Sequence, residues 1–361
     1  MHHRSPLLLL AIAGLAGLLA NAPNVAAAPP ASEHSTISSA LSGNATPRTC
    51  DITDMASLKH CAADPRQFDR LSLRQDLTCA SAGKCCGPDN TPLIRLNDVA
   101  RYVFDGNNHT IHRGADTHAC GVIAMNHSSN IVIENVSLDE GATVPPCELA
   151  EKQCPNTIVV NESRDVLLNS VHAHFCKGYV ARVWGTDGFS FTHSSLSDSG
   201  MIRLYVGHYK FTPSRNIIIT DSVLERARTN GVAIQGADNV LIACNTFTGN
   251  HWHGLWPVKT IPNGTTTGGQ TLITHATQVR ITGNVISDSE CGNCNPPRQV
   301  VSGLELGGGD RSVQSVSGIM VDSNDFSAAV AVHLNGAPTV TGLKIENNRL
   351  HGPSKLTNLA R

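Results

Sequence analysis

Two arginines lie among aromatic residues in a series of short apolar segments. The segments read YVARVWG, MIRLYVG, GVAIQG, GLWPVK, SGLELG and AVAVHLNG. If each segment is a strand, its side chains alternate between inside and outside with a period of two. The inward positions are then Val183, Leu204, Ile234, Leu306 and Val332. Aligning the segments at their ends predicts one outward column of Arg182, Arg203, Ala233, Trp256 and Glu305, and a second of Trp184, Tyr205 and Gln235.

The alignment predicts that Arg182 and Arg203 are neighbours, with their Cα atoms about 5 Å apart. Two guanidinium groups repel each other unless an anion or a carboxylate lies between them. A guanidinium binds a carboxylate through paired hydrogen bonds, and flat aromatic side chains can stack on sugar rings. The pattern predicts a substrate-binding groove of Arg182, Arg203, Trp184, Trp256, Gln235 and Glu305. In the alternative interpretation, Glu305, Asp187 and Asp198 only neutralise the arginines on a solvated surface.

Titratable residues lie in the turns that flank these segments. The predicted catalytic residues are His208, Lys210, Tyr205 and His253. Histidine titrates near neutral pH, whereas lysine or tyrosine acts as a base only if its pKa is lowered. His251 and His253 would face the same way on an extended segment. No carboxylate cluster lies near them in sequence, so neither a metal ion nor another cofactor is predicted.

The elements that must position these residues form a repeat. Asn216 and Asn239 precede the similar segments IIITDSVL and VLIACNTF. Comparable segments follow Asn130, Asp165, Gly188, Gln278, Gly318 and Gly342. A basic unit of about 23–24 residues leaves no room for a strand–helix–strand unit and suits one coil of a solenoid. The sequence therefore predicts an all-β, single-stranded right-handed parallel β-helix of about nine or ten coils.

The sixth residue of each unit occupies one level of the predicted helix. These residues are Val136, Val171, Ser194, Ser222, Asn245, Asn284, Asn324 and Asn348. Coils stack about 4.8 Å apart, so amides in register can hydrogen-bond from one coil to the next. A buried amide without a partner would cost about 1–3 kcal/mol. The register therefore favours a hydrogen-bonded ladder over a set of ordinary turn residues.

Residues 93–350, with these repeats, resemble the right-handed parallel β-helix proteins of the pectate-lyase-like superfamily. The phrase VFDGNNHTIHRG (residues 103–114) is similar to the first-coil signature that many of these proteins carry. The resemblance implies contact with carbohydrate, but one scaffold carries many activities. The sequence lacks the paired-Asp and Gly-His-Gly pattern of polygalacturonases, the dense Asp ligands of calcium-dependent pectate lyases and the Asp-Pro-His motif of mannuronan epimerases.

Three functions are compatible with these residues. The first is a polysaccharide lyase, in which the arginines neutralise a uronate and one of the predicted catalytic residues removes the C5 proton by β-elimination. The second is an inverting glycoside hydrolase, for which Asp187 and Asp238 lie two coils apart, roughly 9.6 Å. The third is a non-catalytic glycan-binding protein or adhesin. The lyase is the preferred prediction, with a polysaccharide or cell-surface glycan as the partner.

The N-terminal segment has the pattern of a secretory signal peptide. A basic start, an apolar run and the small residues before position 28 predict export of the chain after cleavage near Ala27. Residues 28–49 are predicted to be a disordered leader, and residues 50–361 one β-helix domain. Within it, residues 50–92 are expected to cap the helix, with Asp54 as the N-cap of a short helix MASLKHCAA.

Composition and cysteine content agree with an exported protein. The 27 basic and 29 acidic residues give no charge excess that would favour nucleic acid or an anionic membrane. A secreted or periplasmic monomer is predicted, in which the 12 cysteines, most of them outside the regular coils, favour disulfides over metal sites. CGNC (Cys291 and Cys294) lacks the matching pair of a zinc site. Cys176 and Cys244 are predicted to be core residues, and residues 259–277 and 289–300 to be loop insertions.

Overall fold

The computed structural model describes residues 46–79, 86, 91–113, 121–139, 141, 156–176, 178–199, 203–209, 212–227, 230–250, 268–287, 301–307, 315–327, 330–335, 339–351 and 355–357. In chain order its elements are β1 (Thr49–Ile52), α1 (Met55–Ala63), a 3₁₀ turn (Pro65–Gln67), β2 (Arg70–Leu73), β3 (Leu77–Cys79), β4 (Ile94–Asn97), β5 (Ala100–Arg113), β6 (Ile123–Asn126), β7 (Ser129–Asp139), β8 (Ile158–Asn161), β9 (Arg164–His174), β10 (Ala181–Trp184), β11 (Asp187–Thr192), β12 (Ser195–Ser199), β13 (Leu204–Gly207), β14 (Ser214–Thr220), β15 (Val223–Ala227), β16 (Val232–Ala243), β17 (Thr246–Thr248), β18 (Gly268–Thr282), β19 (Val285–Ser287), β20 (Val301–Gly307), β21 (Ser315–Asp322), β22 (Asp325–Ser327), β23 (Val330–Asn335), β24 (Thr339–Thr341), β25 (Lys344–Glu346), β26 (Arg349–Leu350) and β27 (Lys355–Thr357).

These strands stack into three parallel faces. The first face contains β4, β6, β8, β10, β13, β20, β23 and β27 with the first parts of β16 and β18. Strand β10 pairs in parallel with β8 and β13, while the intervening β11 and β12 pair with strands of the other two faces. The chain therefore circles once between neighbouring strands of a face. This topology confirms the predicted right-handed parallel β-helix.

The interior of the β-helix is apolar because alternate residues of each strand point inward. On the first face, Val183, Val206 and Ile234 are at the same level of successive coils and have no exposed surface. Leu306 and Val332 also lie in the core. The predicted inward positions are confirmed, including Leu204, and the outward positions are left for chemistry.

The predicted ladder runs along the corner between the second and third faces. In it, each backbone N–H bonds to the side chain one coil further on. The donors and acceptors are Val171 to Ser194 (2.9 Å), Ser194 to Ser222 (3.1 Å), Ser222 to Asn245 (3.1 Å), Asn245 to Asn284 (2.9 Å), Asn284 to Asn324 (3.0 Å) and Asn324 to Asn348 (2.9 Å). The Asn284 amide also donates to the Ile242 carbonyl oxygen at 2.9 Å. The register predicted from sequence is confirmed.

Helix α1 covers the start of the β-helix. The Asp54 carboxylate accepts from the Ser57 amide at 2.7 Å, and the Ser57 hydroxyl oxygen accepts from the Asp54 N–H at 2.9 Å, which forms a capping box. Leu58 and Cys61 face the core, and a disulfide joins Cys61 to Cys50. The predicted N-cap and helix are confirmed. No helix in the described ranges is long and apolar enough to cross a membrane.

Two local predictions about the coils were wrong. Cys176 is buried in the core as expected, but Cys244 is exposed. Cys244 takes a left-handed conformation (φ 57°) in the turn after β16, which directs its side chain outward. The predicted loop at residues 259–277 is also wrong in part, because β18 begins at Gly268. The signal peptide, and residues 28–45 of the predicted leader, lie outside the described residues.

Candidate functional site

The strand register of the first face differs from the predicted alignment. Arg182 is paired with Tyr205, not with Arg203, and Trp184 is paired with Gly207. The sequence alignment treated Gly185 and Gly207 as equivalent. Gly185 instead lies in a turn with φ +56°, whereas Gly207 is the last residue of β13. The register therefore moves by two residues, which keeps every side chain on its predicted side of the sheet.

Arg203 does not belong to an exposed groove. It precedes β13 and has no exposed surface, and its Nε donates to the Glu225 carbonyl oxygen at 2.8 Å. Burial lowers the pKa of Arg203 to about 9. The nearby Asp198 carboxylate is held by Arg226 through two hydrogen bonds of 2.8 and 2.9 Å. The predicted pairing of Arg182 with Arg203 as two cationic forks was therefore wrong.

A cluster of aromatic rings surrounds Arg182 on the first face. The Arg182 guanidinium lies 4.0 Å from the centroid of the Trp184 ring, a cation–π contact. Tyr205 stacks on Tyr179 at 5.2 Å and meets Trp184 edge-on at 6.3 Å. Tyr209 lies 6.2 Å from Trp184. These five residues, Tyr179, Arg182, Trp184, Tyr205 and Tyr209, are called the Arg182 cluster below.

Tyr179 and Tyr209 are the two members of the cluster that were not predicted. Tyr179 begins the segment that contains Arg182, and Tyr209 lies in the enlarged turn after β13. The sequence places Tyr179 in the same segment as Arg182 and Tyr209 next to His208, so both tyrosines could have been included in the predicted site. Only the register, however, shows that Tyr205 lies beside Arg182 and can stack on Tyr179.

Two glycines make room for the side chains at the edge of this cluster. A Cβ atom on Gly207 would lie 2.9 Å from the Tyr205 ring and 3.1 Å from the Gln235 carbonyl oxygen. A Cβ atom on Gly236 would lie 2.7 Å from Nδ1 of His208, and Gly236 has φ +91°. All three distances are shorter than a normal van der Waals contact. Glycine at these two positions therefore lets the Tyr205 and His208 side chains fold back onto the face.

Tyr205, Gln235 and His208 come together where β13 meets β16. The Tyr205 hydroxyl donates to the Gln235 side-chain oxygen at 2.7 Å. The His208 backbone N–H donates to the Gln235 carbonyl oxygen at 3.1 Å, and the His208 side chain is exposed at the rim. The structure therefore unites four predicted site residues that carry titratable or polar groups: Arg182, Tyr205, His208 and Gln235.

Arg182 differs from most arginines of the described chain in its charge balance. None of the ion pairs between described residues involves it, and burial lowers its pKa. Of the carboxylates expected to neutralise it, Asp198 is bound to Arg226. Glu305 shares its column but lies four coils away, about 19 Å. The half-buried guanidinium is available to an external anion.

The two carboxylates considered for hydrolysis are engaged elsewhere. Arg215 lies in register between Asp187 and Asp238 on the second face. Asp187 accepts from Asn216 at 2.6 Å, while Asp238 accepts from Thr277 at 2.5 Å and lies 3.7 Å from the Arg215 Nε. A water held between two acid–base carboxylates has no place beside this arginine.

The remaining predicted site residues cannot be assigned to the Arg182 cluster. Lys210, His253 and Trp256 lie outside the described residues, as do His251, Cys291 and Cys294. For Glu305, only the backbone position in β20 is described. Within the described ranges, no group of three or more His, Cys, Asp or Glu side chains is arranged to hold a metal ion.

Comparisons with known proteins give no family for this chain. No protein-family model matches the sequence, and no curated protein is similar to it in sequence. Similar solved structures include the surface adhesin PfbA of Streptococcus pneumoniae (TM-score 0.49, 10% identity, 79% of this chain and 85% of that chain). Others are the A-module of mannuronan C-5 epimerase AlgE4 of Azotobacter vinelandii (0.48, 13%, 86% and 97%) and the pectate lyase pelN of Paenibacillus sp. 0602 (0.49, 12%, 79% and 79%).

The parallel β-helix is shown by the strand pairing of the chain itself. At identities of 10–13% and TM-scores below 0.5, these structures carry no argument about the function of this chain. A function for this β-helix must therefore be argued from its own residues.

Proposed function

We propose that this β-helix binds an acidic, uronate-containing polysaccharide on its first face and cleaves it by β-elimination. The observation that carries the proposal is Arg182, a half-buried cation without a carboxylate partner among the described residues, stacked over Trp184. A guanidinium on a partly desolvated surface binds a carboxylate more strongly than one in water, because the local dielectric constant is lower. The neighbouring rings offer apolar area for a pyranose ring.

The Arg182 cluster supplies the first requirement of elimination. A uronate carboxylate bound to Arg182 loses part of its negative charge, which makes the proton on the adjacent C5 more acidic. A base then removes that proton, the C5–H electron pair forms the C4–C5 double bond, and the C4–O bond breaks. The leaving oxygen takes a proton from an acid. One chain is thereby converted into two, one of which carries an unsaturated end.

Tyr205 and His208 are the described candidates for the base. Tyr205 pairs with Arg182 across neighbouring strands, and its hydroxyl donates its proton to the Gln235 side-chain oxygen. His208 lies at the rim of the same site. Lys210 and His253 stay predicted catalytic residues, and Trp256 a predicted binding residue.

The proposal includes the location and the domain organisation of the protein. We infer an exported monomer with a signal peptide at residues 1–27, a leader at 28–49 and one β-helix domain at 50–361 that needs no cofactor. The disulfide between Cys50 and Cys61 supports an extracytoplasmic location, because such bonds are rare in the reducing cytosol. At that location the protein would bind a polysaccharide or a cell-surface glycan.

The experiment is an assay of the purified protein on alginate, pectate, chondroitin and related acidic glycans. A rise in ultraviolet absorbance from the unsaturated uronate is expected for one of them. Tyr205→Phe and His208→Gln should each be compared with the parent chain, since the variant that loses turnover but keeps binding identifies the base. New reducing ends without absorbance would indicate hydrolysis instead. Glycan binding without either signal would leave a binding protein and refute the catalytic step.

A further inference from the structure

An outward column of amides leads along the first face to the Arg182 cluster. Asn97, Asn126, Asn161 and Trp184 occupy one level on successive coils. The Asn126 amide donates to the Asn97 oxygen at 2.7 Å, and the Asn161 amide donates to the Asn126 oxygen at 2.9 Å. Every link in this column donates towards the N-terminal coils. The next donor along the column would have to come from the coil of Trp184.

The column ends in polar atoms that have no hydrogen-bond partner in the described part of the chain. These atoms are Oδ1 of Asn161, Nε1 of Trp184 and Nε of Arg182, and all three are shielded from solvent. Asn161 and Trp184 are register partners, so their Cα atoms are about 4.8 Å apart. A buried polar group without a partner costs about 1–3 kcal/mol, which a closed structural ladder would avoid.

The three atoms form a complementary set. Asn161 Oδ1 is an acceptor, the Trp184 indole N–H is a donor only, and Arg182 is a charged donor. A hydroxyl group has one proton to donate and lone pairs to accept. One hydroxyl can therefore donate to Asn161 and accept from Trp184, while a carboxylate on the same molecule binds Arg182. A ligand that carries only carboxylates can accept from Trp184 and Arg182 but leaves the Asn161 oxygen without a donor.

We infer that Asn161 and Trp184 form a hydroxyl-binding subsite that selects hydroxylated acids, such as uronate sugars, over other polyanions. The inference rests on the proposed function, because it assigns the carboxylate to Arg182. Solvent does not reach the three atoms in the unbound chain, so a neighbouring side chain must shift. The half-buried Tyr209 ring, 6.2 Å from the Trp184 ring, is the side chain expected to turn aside.

The test compares two polymers of similar charge. Polygalacturonate and alginate carry hydroxyls beside their carboxylates, whereas polyacrylate carries carboxylates alone. Calorimetric titrations should use the full chain, Trp184→Phe, which keeps a ring but removes the N–H, and Asn161→Leu, which removes the acceptor. Asn97→Leu, at the exposed far end of the same column, is the matched control. Thermal unfolding confirms that each variant is folded.

The expected result is a selective loss. Asn161→Leu should weaken binding of a uronate polymer about tenfold while polyacrylate binding changes less than about twofold, and Trp184→Phe should weaken binding of a uronate polymer by about the same factor. The double variant should lose little more than either single variant, because both groups serve one hydroxyl. Equal losses for both polymers in Asn161→Leu, or no loss for the uronate polymer, would overturn the subsite and would indicate an internal water at most. If the parent chain binds no uronate polymer, the proposed function fails first.

Discussion

Two amide ladders run along this β-helix, and they end differently. The ladder at the corner of the second and third faces, Asn245 to Asn348, is closed: the first three amides donate to the asparagine of the next coil, and all four donate to a backbone carbonyl. The ladder of Asn97, Asn126 and Asn161 on the first face stops at Trp184 with an acceptor and two donors unpaired. The chemistry of the amides is the same. Only the second ladder leaves groups for something else to bind.

The same contrast holds for the arginines of neighbouring coils. Arg226 is bound by the buried Asp198 carboxylate through two hydrogen bonds. Arg182 has an aromatic ring beneath it and no described carboxylate beside it. In a solenoid, residues that hold coils together satisfy one another, because a buried unpaired group lowers stability. Residues that bind a ligand must keep their bonding capacity, so they are recognised by incomplete pairing.

The largest expected effect is on the closed ladder. Asn284→Ala removes the acceptor of the Asn245 N–H and the donor to the Ile242 carbonyl, both buried. The free energy of unfolding should fall by about 2–6 kcal/mol, at about 1–3 kcal/mol for each of the two unpaired groups. Asn348→Ala, at the half-exposed end, should cost about 1 kcal/mol. Urea unfolding measures both. Equal losses would mean that the ladder does not act through buried pairing.

The second prediction concerns the closed ion pair. Burial raises the pKa of Asp198, but the hydrogen bonds and charge of Arg226 outweigh it, and the net pKa is lowered. The ionised form therefore stabilises the fold above the ordinary Asp pKa of about 3.9, and this stability is lost as the pH falls through the lower folded pKa. Asp198→Asn should cost about 2 kcal/mol at neutral pH.

A pH series of unfolding measurements checks this sign. The difference between the parent chain and Asp198→Asn should shrink as the pH drops below about 4. Asp325→Asn, which removes a half-exposed partner 3.7 Å from Arg349 and 2.7 Å from His351, is the control and should change stability by less than about 1 kcal/mol. A difference that is constant over the whole pH range would rule out the ionised pair as its source.

The smallest predicted change in stability falls on the open site. Gly207→Ala places a Cβ atom 2.9 Å from the Tyr205 ring, so the ring must move. Stability should fall by about 1 kcal/mol, at the lower end for overpacking, while glycan affinity falls because Tyr205 leaves its place beside Arg182. Adding Tyr205→Leu removes the ring and should restore the lost stability without restoring affinity. Unchanged affinity in Gly207→Ala would show that the position of Tyr205 is irrelevant to binding.

Much of the fold could be predicted from the sequence, because it depends on local repeats. The asparagine register, the inward residues of each strand and the Asp54 cap all follow from alternation, spacing and capping chemistry. The strand register on the first face could not be predicted, since Gly185 and Gly207 look alike in sequence but serve as a turn residue and a strand residue. The burial of Arg203 was missed for a related reason. Alternation along a strand predicts that the side chain points outward, but Arg203 precedes β13 and its side chain is covered there by neighbouring residues.

The candidate site was predicted in part. Arg182, Trp184, Tyr205, Gln235 and His208 are brought together as expected, although the neighbour of Arg182 is Tyr205. Asn161 was not predicted, because a single asparagine at the end of a strand resembles many turn residues. Its unpaired oxygen becomes visible only when the whole column of amides is assembled across coils that are far apart in sequence.

The central claim is that Arg182 binds the carboxylate of an acidic glycan. Titration calorimetry of the parent chain, Arg182→Met and Arg95→Met with polygalacturonate and alginate tests it most directly. Arg95 is the matched control because it lies in the same outward column three coils away and is exposed. Arg182→Met should weaken binding at least about tenfold, and Arg95→Met less than about twofold. Equal affinities for the two variants would contradict the claim.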